Sequence, residues 1–147
     1  MHRQDIILNV GIAVGFFILS IIASPPFEEW WEEDYGKTPE RLSKLLQATD
    51  IEKFNDERKK FHEKIEFDAI DLSNKNLKNA NLESIILRNV ILSRSDLTNA
   101  TLDNSEISGD LSNATLKNSL LLNAKVTGAI LNGADLTRAD LTDAKKV

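Results

Sequence analysis

Residues 77–102 read LKNANLESIILRNVILSRSDLTNATL, and a single register organises them: Leu77, Leu82, Leu87, Leu92, Leu97 and Leu102 fall on every fifth position. The register extends back to Leu72 and Phe67 and on through Ile107, Leu111, Leu116, Leu121, Val126, Leu131, Leu136 and Leu141. Only the step from Ile107 to Leu111 is short by a residue. Two positions ahead of each of these lies a second series that becomes small along the chain. It runs from Ile65, Ile70, Lys75, Ala80, Ile85 and Val90 through Ser95, Ala100, Ser105 and Gly109 to Ala129, Ala134, Ala139 and Ala144. A period of five fits neither the 3.6 of a helix nor the 2.0 of a strand. Each five-residue unit must therefore turn a corner and present one large and one small side chain to a shared axis. Units of this kind bury their apolar faces only by stacking, so they fold together or not at all.

The units AlaAsnLeu at 80–82, AlaThrLeu at 100–102 and 114–116, and AlaAspLeu at 134–136 and 139–141 resemble the A(D/N)LXX signature of the pentapeptide-repeat family. The resemblance implies a mainly β fold, a right-handed quadrilateral β-helix with four units per coil. About twenty residues then rise one strand spacing of about 4.8 Å, so the run makes about four coils, a rod about 20 Å long. On four sides the leucines stack in columns, Leu77 with Leu97, Leu116 and Leu136, and Leu72 with Leu92, Leu111 and Leu131. Asn79, Asn99 and Asn118 align at one corner as an amide ladder. Gly109 takes up the missing residue, since glycine adopts unusual backbone angles cheaply. Lys75 departs from the pattern and needs the open end of the first coil for its ammonium; Ile65, Ile70, Ile85 and Val90 are bulkier than the usual small residues. In this register Leu97→Asp should unfold the rod and Thr98→Asp, facing out, should be silent.

Four segments follow: 1–24, 25–37, 38–65 and 66–147. In the first, Ile6 to Ala23 carries no charge over a length close to that needed to cross about 30 Å of hydrocarbon, and is expected to be one N-terminal transmembrane helix in contact with the lipid bilayer. A cleaved signal peptide, leaving a secreted solenoid, is the rival reading. Arg3 and Ala23 suit it, but the apolar run exceeds the usual 7 to 15 residues. Pro25 and Pro26 then stop the helix, and Trp30 and Trp31 mark a membrane interface or a partner contact. With Arg3 alone on the N-terminal side and no Lys or Arg beyond the span before Lys37, the basic-residue rule places the amino terminus in the cytoplasm. The rest would then be extracytoplasmic or lumenal, a single-pass protein of a bacterial inner or thylakoid membrane.

The acidic stretch around Trp30 and Trp31, with Glu28, Glu29, Glu32, Glu33 and Asp34, reads as a spacer. Thr38 and Pro39 open a short helix through Leu42, Leu45 and Leu46, and Thr49 with Glu52 forms a capping box for a second. In the second, Ile51, Phe54, Arg58, Phe61 and Ile65 make one stripe that must be buried. The strings at 51–58 and 70–73 resemble the helical cap that precedes many pentapeptide arrays, and an α-helical cap is physically required because an uncovered coil exposes strand edges.

No cysteine is present, which excludes disulfides and thiolate metal sites. Only His2 and His62 titrate unperturbed near neutrality, and no phosphate loop, HxxxH spacing or nucleophile elbow occurs. No enzyme activity, cofactor or metal is expected. Although the net charge is −5, residues 67–147 hold ten acidic and nine basic side chains. The topoisomerase-binding DNA mimics of the family are the alternative reading, but a duplex mimic needs an acidic rod; no nucleic-acid partner is expected either. Function should lie in outward positions that are apolar where polar residues are the rule: Ile86, then Ile91 and Ile130 on one face, and Leu120 and Leu122 on the opposite one. These, with Trp30 and Trp31, are the candidate partner-binding residues of a membrane-anchored scaffold, an accessory subunit of a membrane protein complex. A homodimer through the C-terminal coil is a further expectation. The resemblance keeps a photosynthetic or respiratory membrane assembly in view.

Overall fold

The structure, a computed structural model, describes residues 39–61 and 64–146. Ile6 to Ala23, the acidic stretch with Trp30 and Trp31, Thr38, His2 and His62 lie outside the described residues. No helix among the described residues is long and apolar enough to cross a membrane.

Helix α1 spans Pro39–Gln47 and α2 spans Ile51–Arg58. Leu42 and Leu46, one turn apart on α1, are fully buried with Phe54 of α2. Between the helices Thr49 adopts φ 59°, with Thr49 N–H donating to Leu46 O and Asp50 N–H to Leu45 O, the pair of bonds of a Schellman stop. That geometry displaces the expected capping box: Thr49 closes α1, and Asp50 caps α2 by accepting from Lys53 N–H at 3.3 Å. The stripe expected to run helically to Ile65 is also cut short. The chain leaves α2 after Arg58 through turns at Lys60 and Phe61, and Ile65 enters the first coil instead.

Strands β1 (Glu66–Asp68), β2 (Ile86–Ile91), β3 (Glu106–Asp110), β4 (Lys125–Val126) and β5 (Lys145–Lys146) form one parallel sheet in chain order. Glu66 pairs with Ile86, Ile86 with Glu106, Glu106 with Lys125 and Lys125 with Lys145, so each turn of chain returns to the same side after 20 residues, or 19 at the short step. Three more sides are held by isolated bridges such as Asp71 to Ile91, Asn76 to Asp96 and Asn81 to Thr101. The section is therefore a square, with the strands on the first side. The second side begins at Ile70, Val90, Gly109 and Ala129, the third at Lys75, Ser95, Ala114 and Ala134, and the fourth at Ala80, Ala100, Ser119 and Ala139.

Every corner needs a residue in the left-handed region. Asn74, Asn79, Asn99, Asn104, Asn113, Asn118 and Asn123 supply it with φ of 53° to 61°. Asparagine tolerates this conformation better than other non-glycine residues, which is why it recurs there. The turn is closed when the small residue that follows donates its N–H to the carbonyl of the central leucine, as from Ala80 to Leu77 at 3.1 Å and from Ala100 to Leu97 at 3.0 Å. Where the small residue is Ser95, Ser105 or Ser119, its buried hydroxyl donates to the same carbonyl at 2.6 to 2.8 Å, so the core accepts serine without an unpaired group.

The central residues from Phe67 to Leu121 are buried, Leu131 and Leu136 half-buried, and Leu141 is 44% exposed in the last described coil. The amide ladder is present, with Asn99 donating to Asn79 at 3.4 Å and Asn118 to Asn99 at 3.3 Å. Lys75 sits half-buried in its inward slot.

At the short step, pairing jumps from Leu87–Ile107 to Val90–Gly109, so β3 passes the corner that β2 makes with Asn89. Gly109 has φ 126°, and a Cβ there would stand 2.1 Å from the carbonyl oxygen of Val90. No other residue type fits that slot.

Candidate functional site: the outward sides of the coil

With the leucines inside, whatever the rod does must use the residues pointing out. Most are small and polar, and they are tied to their own backbone. Asp71, Asp96, Asp110, Asp135 and Asp140 each accept the N–H of the Ser or Thr two residues on. These bonds favour the carboxylate over the acid. The Thr137 hydroxyl and amide, with Lys117 beside them, hold Asp135 down to about 2. Asp110 and Asp140 are lowered first by the hydroxyl of Ser112 or Thr142 and then by its amide, and for Asp71 the Ser73 amide leads. Burial pushes Asp96 upward, but bonds from Thr98 and Lys78 outweigh it and leave the group below the usual range. The repeating Asp and Asn residues are thus turn chemistry. No group of three or more His, Asp or Glu able to hold a metal occurs among the described residues.

The apolar outward positions fall into three groups. Ile86, expected outside, is only 5% exposed. It is flanked in its column by Glu66 and Glu106, and the Lys64 side chain on the first coil reaches Glu106 two coils on at 3.3 Å, passing the level of Ile86. Lys125 also meets Glu106 at 3.2 Å, and the two lysines hold that carboxyl below its usual range. Ile86 is therefore removed from the candidate surface. A hollow of about 240 Å³ remains beside it, lined by Arg88, Ser108 and Thr127, where β3 lacks its corner.

Ile91 and Ile130 are 41% and 49% exposed on the second side, in a column that runs Asp71, Ile91, Asp110, Ile130. Leu120 and Leu122 are 44% and 37% exposed on the fourth side. Leu120 stacks between Thr101 and Asp140, while the Leu122 N–H donates to Asp103 at 2.8 Å. The structure thus puts the two pairs on opposite sides and does not bring them together.

Reading the chain missed how the cap grips the coil. The Asn55 side chain donates to Asn79 O at 2.9 Å and accepts from Asn81 N–H at 2.8 Å, standing in for a peptide group of a coil that is not there. Arg58 donates to Glu83 O at 2.8 Å and to Phe61 O at 3.2 Å; its Nε is buried without a partner. Burial lowers the Arg58 pKa, against the opposing effect of Glu83. The signal available was a polar Asn55 next to buried Phe54, in the middle of a helix, where asparagine is poorly placed unless its side chain bonds elsewhere.

A rigid square coil with leucine columns inside, turn-locked carboxylates outside and a helical cap at one end defines a class: a solenoid that works through its faces. The profile of pentapeptide repeats matches residues 66–109 and 110–145, in eight copies, and the chain belongs to the pentapeptide-repeat family. That family consists of protein-interaction modules that are generally not enzymes. Against curated proteins the chain finds no sequence match.

Among solved structures it is similar to the pentapeptide repeat protein Rfr23 from the cyanobacterium Cyanothece 51142, at 32% identity over 60% of this chain and 64% of that one, with a TM-score of 0.48. It is also similar to HetL of the cyanobacterium Nostoc sp. strain PCC 7120, a protein involved in heterocyst differentiation regulation (26% identity, 54% and 39% coverage, TM-score 0.29). A third is a pentapeptide repeat protein of the Arabidopsis thaliana thylakoid lumen (27% identity, 51% and 63% coverage, TM-score 0.24). The chain spans less than two thirds of the length of each.

Proposed function

We propose that this protein is a membrane-tethered scaffold, with the uncharged span Ile6 to Ala23 as anchor and the coil as a rigid body that docks a protein partner, an accessory role in a membrane complex. The observation that carries the reading is the pair of apolar outcrops, Ile91 with Ile130 and Leu120 with Leu122, each 37% to 49% exposed where the repeat otherwise holds mostly polar or charged residues. Such outcrops on a small polar surface are the mark of protein contacts. The tether rests on the length and lack of charge of Ile6 to Ala23, on Trp30 and Trp31, and on the single Arg3 before the span. A second copy is a further partner, since Leu131, Leu136 and the 44% exposed Leu141 offer a self-matching contact in the last described coil.

Alkaline carbonate extraction of membranes, followed by protease treatment of sealed vesicles, tests the tether. The chain should stay with the pellet and be protected in inside-out vesicles. Release into the supernatant with a new amino terminus beyond Ala23 would replace the anchor by a cleaved leader.

A further inference from the structure

The two outcrops differ in what surrounds them. Ile91 and Ile130 lie two coil spacings apart, about 10 Å, with Asp110 between them. Leu120 and Leu122 flank the buried Leu121 and are both exposed, so they make a contiguous anchor. Around them the fourth side presents Glu83, Asp103, Asp140 and the corner Asp143; its cations are Arg138, at the corner with the third side, and Arg58 of the cap, bonded to the Glu83 carbonyl.

Charge separates the sides: the second holds two carboxylates, Asp71 and Asp110, without a salt bridge among the described residues, and Arg94 at its corner, while the fourth holds four carboxylates. On the first side Glu66 pairs with Arg88 and Glu106 with Lys64 and Lys125. On the third side Asp96 pairs with Lys78 and Asp135 with Lys117. Among the described residues no salt bridge engages Asp103, Asp140 or Asp143, whereas Arg58, which bonds the Glu83 carbonyl, also feels the charge of the Glu83 carboxylate. The bonds that Asp103 and Asp140 accept use one oxygen each and leave the second free. An apolar pair ringed by carboxylates, three of them without a salt bridge, complements an apolar seat ringed by cations.

We infer that the fourth side docks a basic amphipathic segment of a protein partner, with Leu120 and Leu122 entering its apolar face while its Lys or Arg side chains meet Glu83, Asp103, Asp140 and Asp143. This rests on the scaffold reading and selects one of its two surfaces.

The test is a fluorescence anisotropy titration of the full chain in neutral detergent, with the detergent-only signal subtracted. One labelled probe is an amphipathic peptide of repeated Leu-Lys-Lys-Leu, and the other is the same peptide with Glu for Lys. Only the basic peptide should bind, more weakly as salt is raised. Leu120→Ser with Leu122→Ser, and separately Glu83→Lys with Asp143→Lys, should weaken it at least tenfold at unchanged far-ultraviolet circular dichroism. Ile91→Ser with Ile130→Ser should not. Wild-type affinity in the leucine double variant overturns the assignment. Loss confined to the isoleucine variant moves docking to the second side and keeps the scaffold, whereas a chain that binds neither peptide, or binds both alike, overturns the basic-partner inference.

Discussion

Gly109→Ala adds one methyl group at the place where the coil has least room for it. The new Cβ would lie 2.1 Å from Val90 O, 2.6 Å from Val90 N and 2.9 Å from Val90 C, all backbone atoms. Unbonded heavy atoms settle about 3.5 Å apart, so strand β2 must retreat by more than an ångström. It cannot do so alone, because Val90 pairs with Gly109, Ile91 N–H donates to Ile70 O at 3.0 Å and Leu92 N–H donates to Asp110 O at 2.7 Å. Losing one such bond costs about 1 kcal/mol, the overpacking about 1 to 3 kcal/mol, and an alanine held at φ 126° about 1 to 3 kcal/mol more. Against this, alanine restricts the unfolded chain and returns about 0.4 to 1 kcal/mol. The net loss is about 2 to 7 kcal/mol. Gly128→Ala is the matched control, since Gly128 has φ 66° and nothing within 4 Å of the added atom. It carries only the left-handed cost, about 1 to 2 kcal/mol less the same return. Urea unfolding of the full chain in neutral detergent, followed by far-ultraviolet circular dichroism, measures both. Equal stability of the two variants would refute the reasoning.

Leu97→Asp should cost about 4 kcal/mol, because it sets an unpaired carboxylate in a fully buried slot; thermal unfolding checks it. Thr98→Asp is not the silent control expected from the register. The Thr98 amide and hydroxyl both bind Asp96, and a second carboxylate there should lower stability by about 1 kcal/mol in the same assay. Thr49→Gly should stabilise by about 1 kcal/mol, since Thr49 sits at φ 59° where glycine is the favoured residue, and a higher urea midpoint would show it. Asn55→Ala strands Asn79 O and Asn81 N–H and should cost about 1 to 3 kcal/mol; hydrogen exchange should accelerate at Asn81. Asp71, Asp96, Asp110, Asp135 and Asp140 have folded pKa values below the ordinary 3.8, so the stability they lend is complete above about pH 4 and lost as pH falls through their folded values, for Asp135 about 2. An acid titration of Asp135→Asn should show a smaller loss across that window than the wild type.

Much of this was readable because a five-residue period leaves little freedom. Placing Leu97 inside also places Leu77 and Leu116 inside, sets Asn79, Asn99 and Asn118 at one corner, and puts Leu120 and Leu122 opposite Ile91 and Ile130. Gly109 was legible for the same reason, as a lost residue in a strict period has to be absorbed somewhere. What escaped depends on side chains that reach across the period. The register marks Ile86 as outward, yet it is 5% exposed, in a column that Lys64 spans by reaching Glu106, 42 residues away. The role of Asn55 likewise depends on backbone atoms 24 and 26 residues further on. The cap was misread locally because Thr49–Glu52 satisfies the capping-box pattern, while the backbone used Thr49 to end α1 and left the capping to Asp50.

The absence of native cysteine makes the square coil directly measurable. Single cysteines placed at each position from 91 to 102 in the full chain and labelled with a maleimide should react slowly at 92, 95, 97, 100 and 102 and fast at 91, 94 and 99. Protection that recurs every second residue, or every third and fourth, would contradict the five-residue turn on which the docking faces depend.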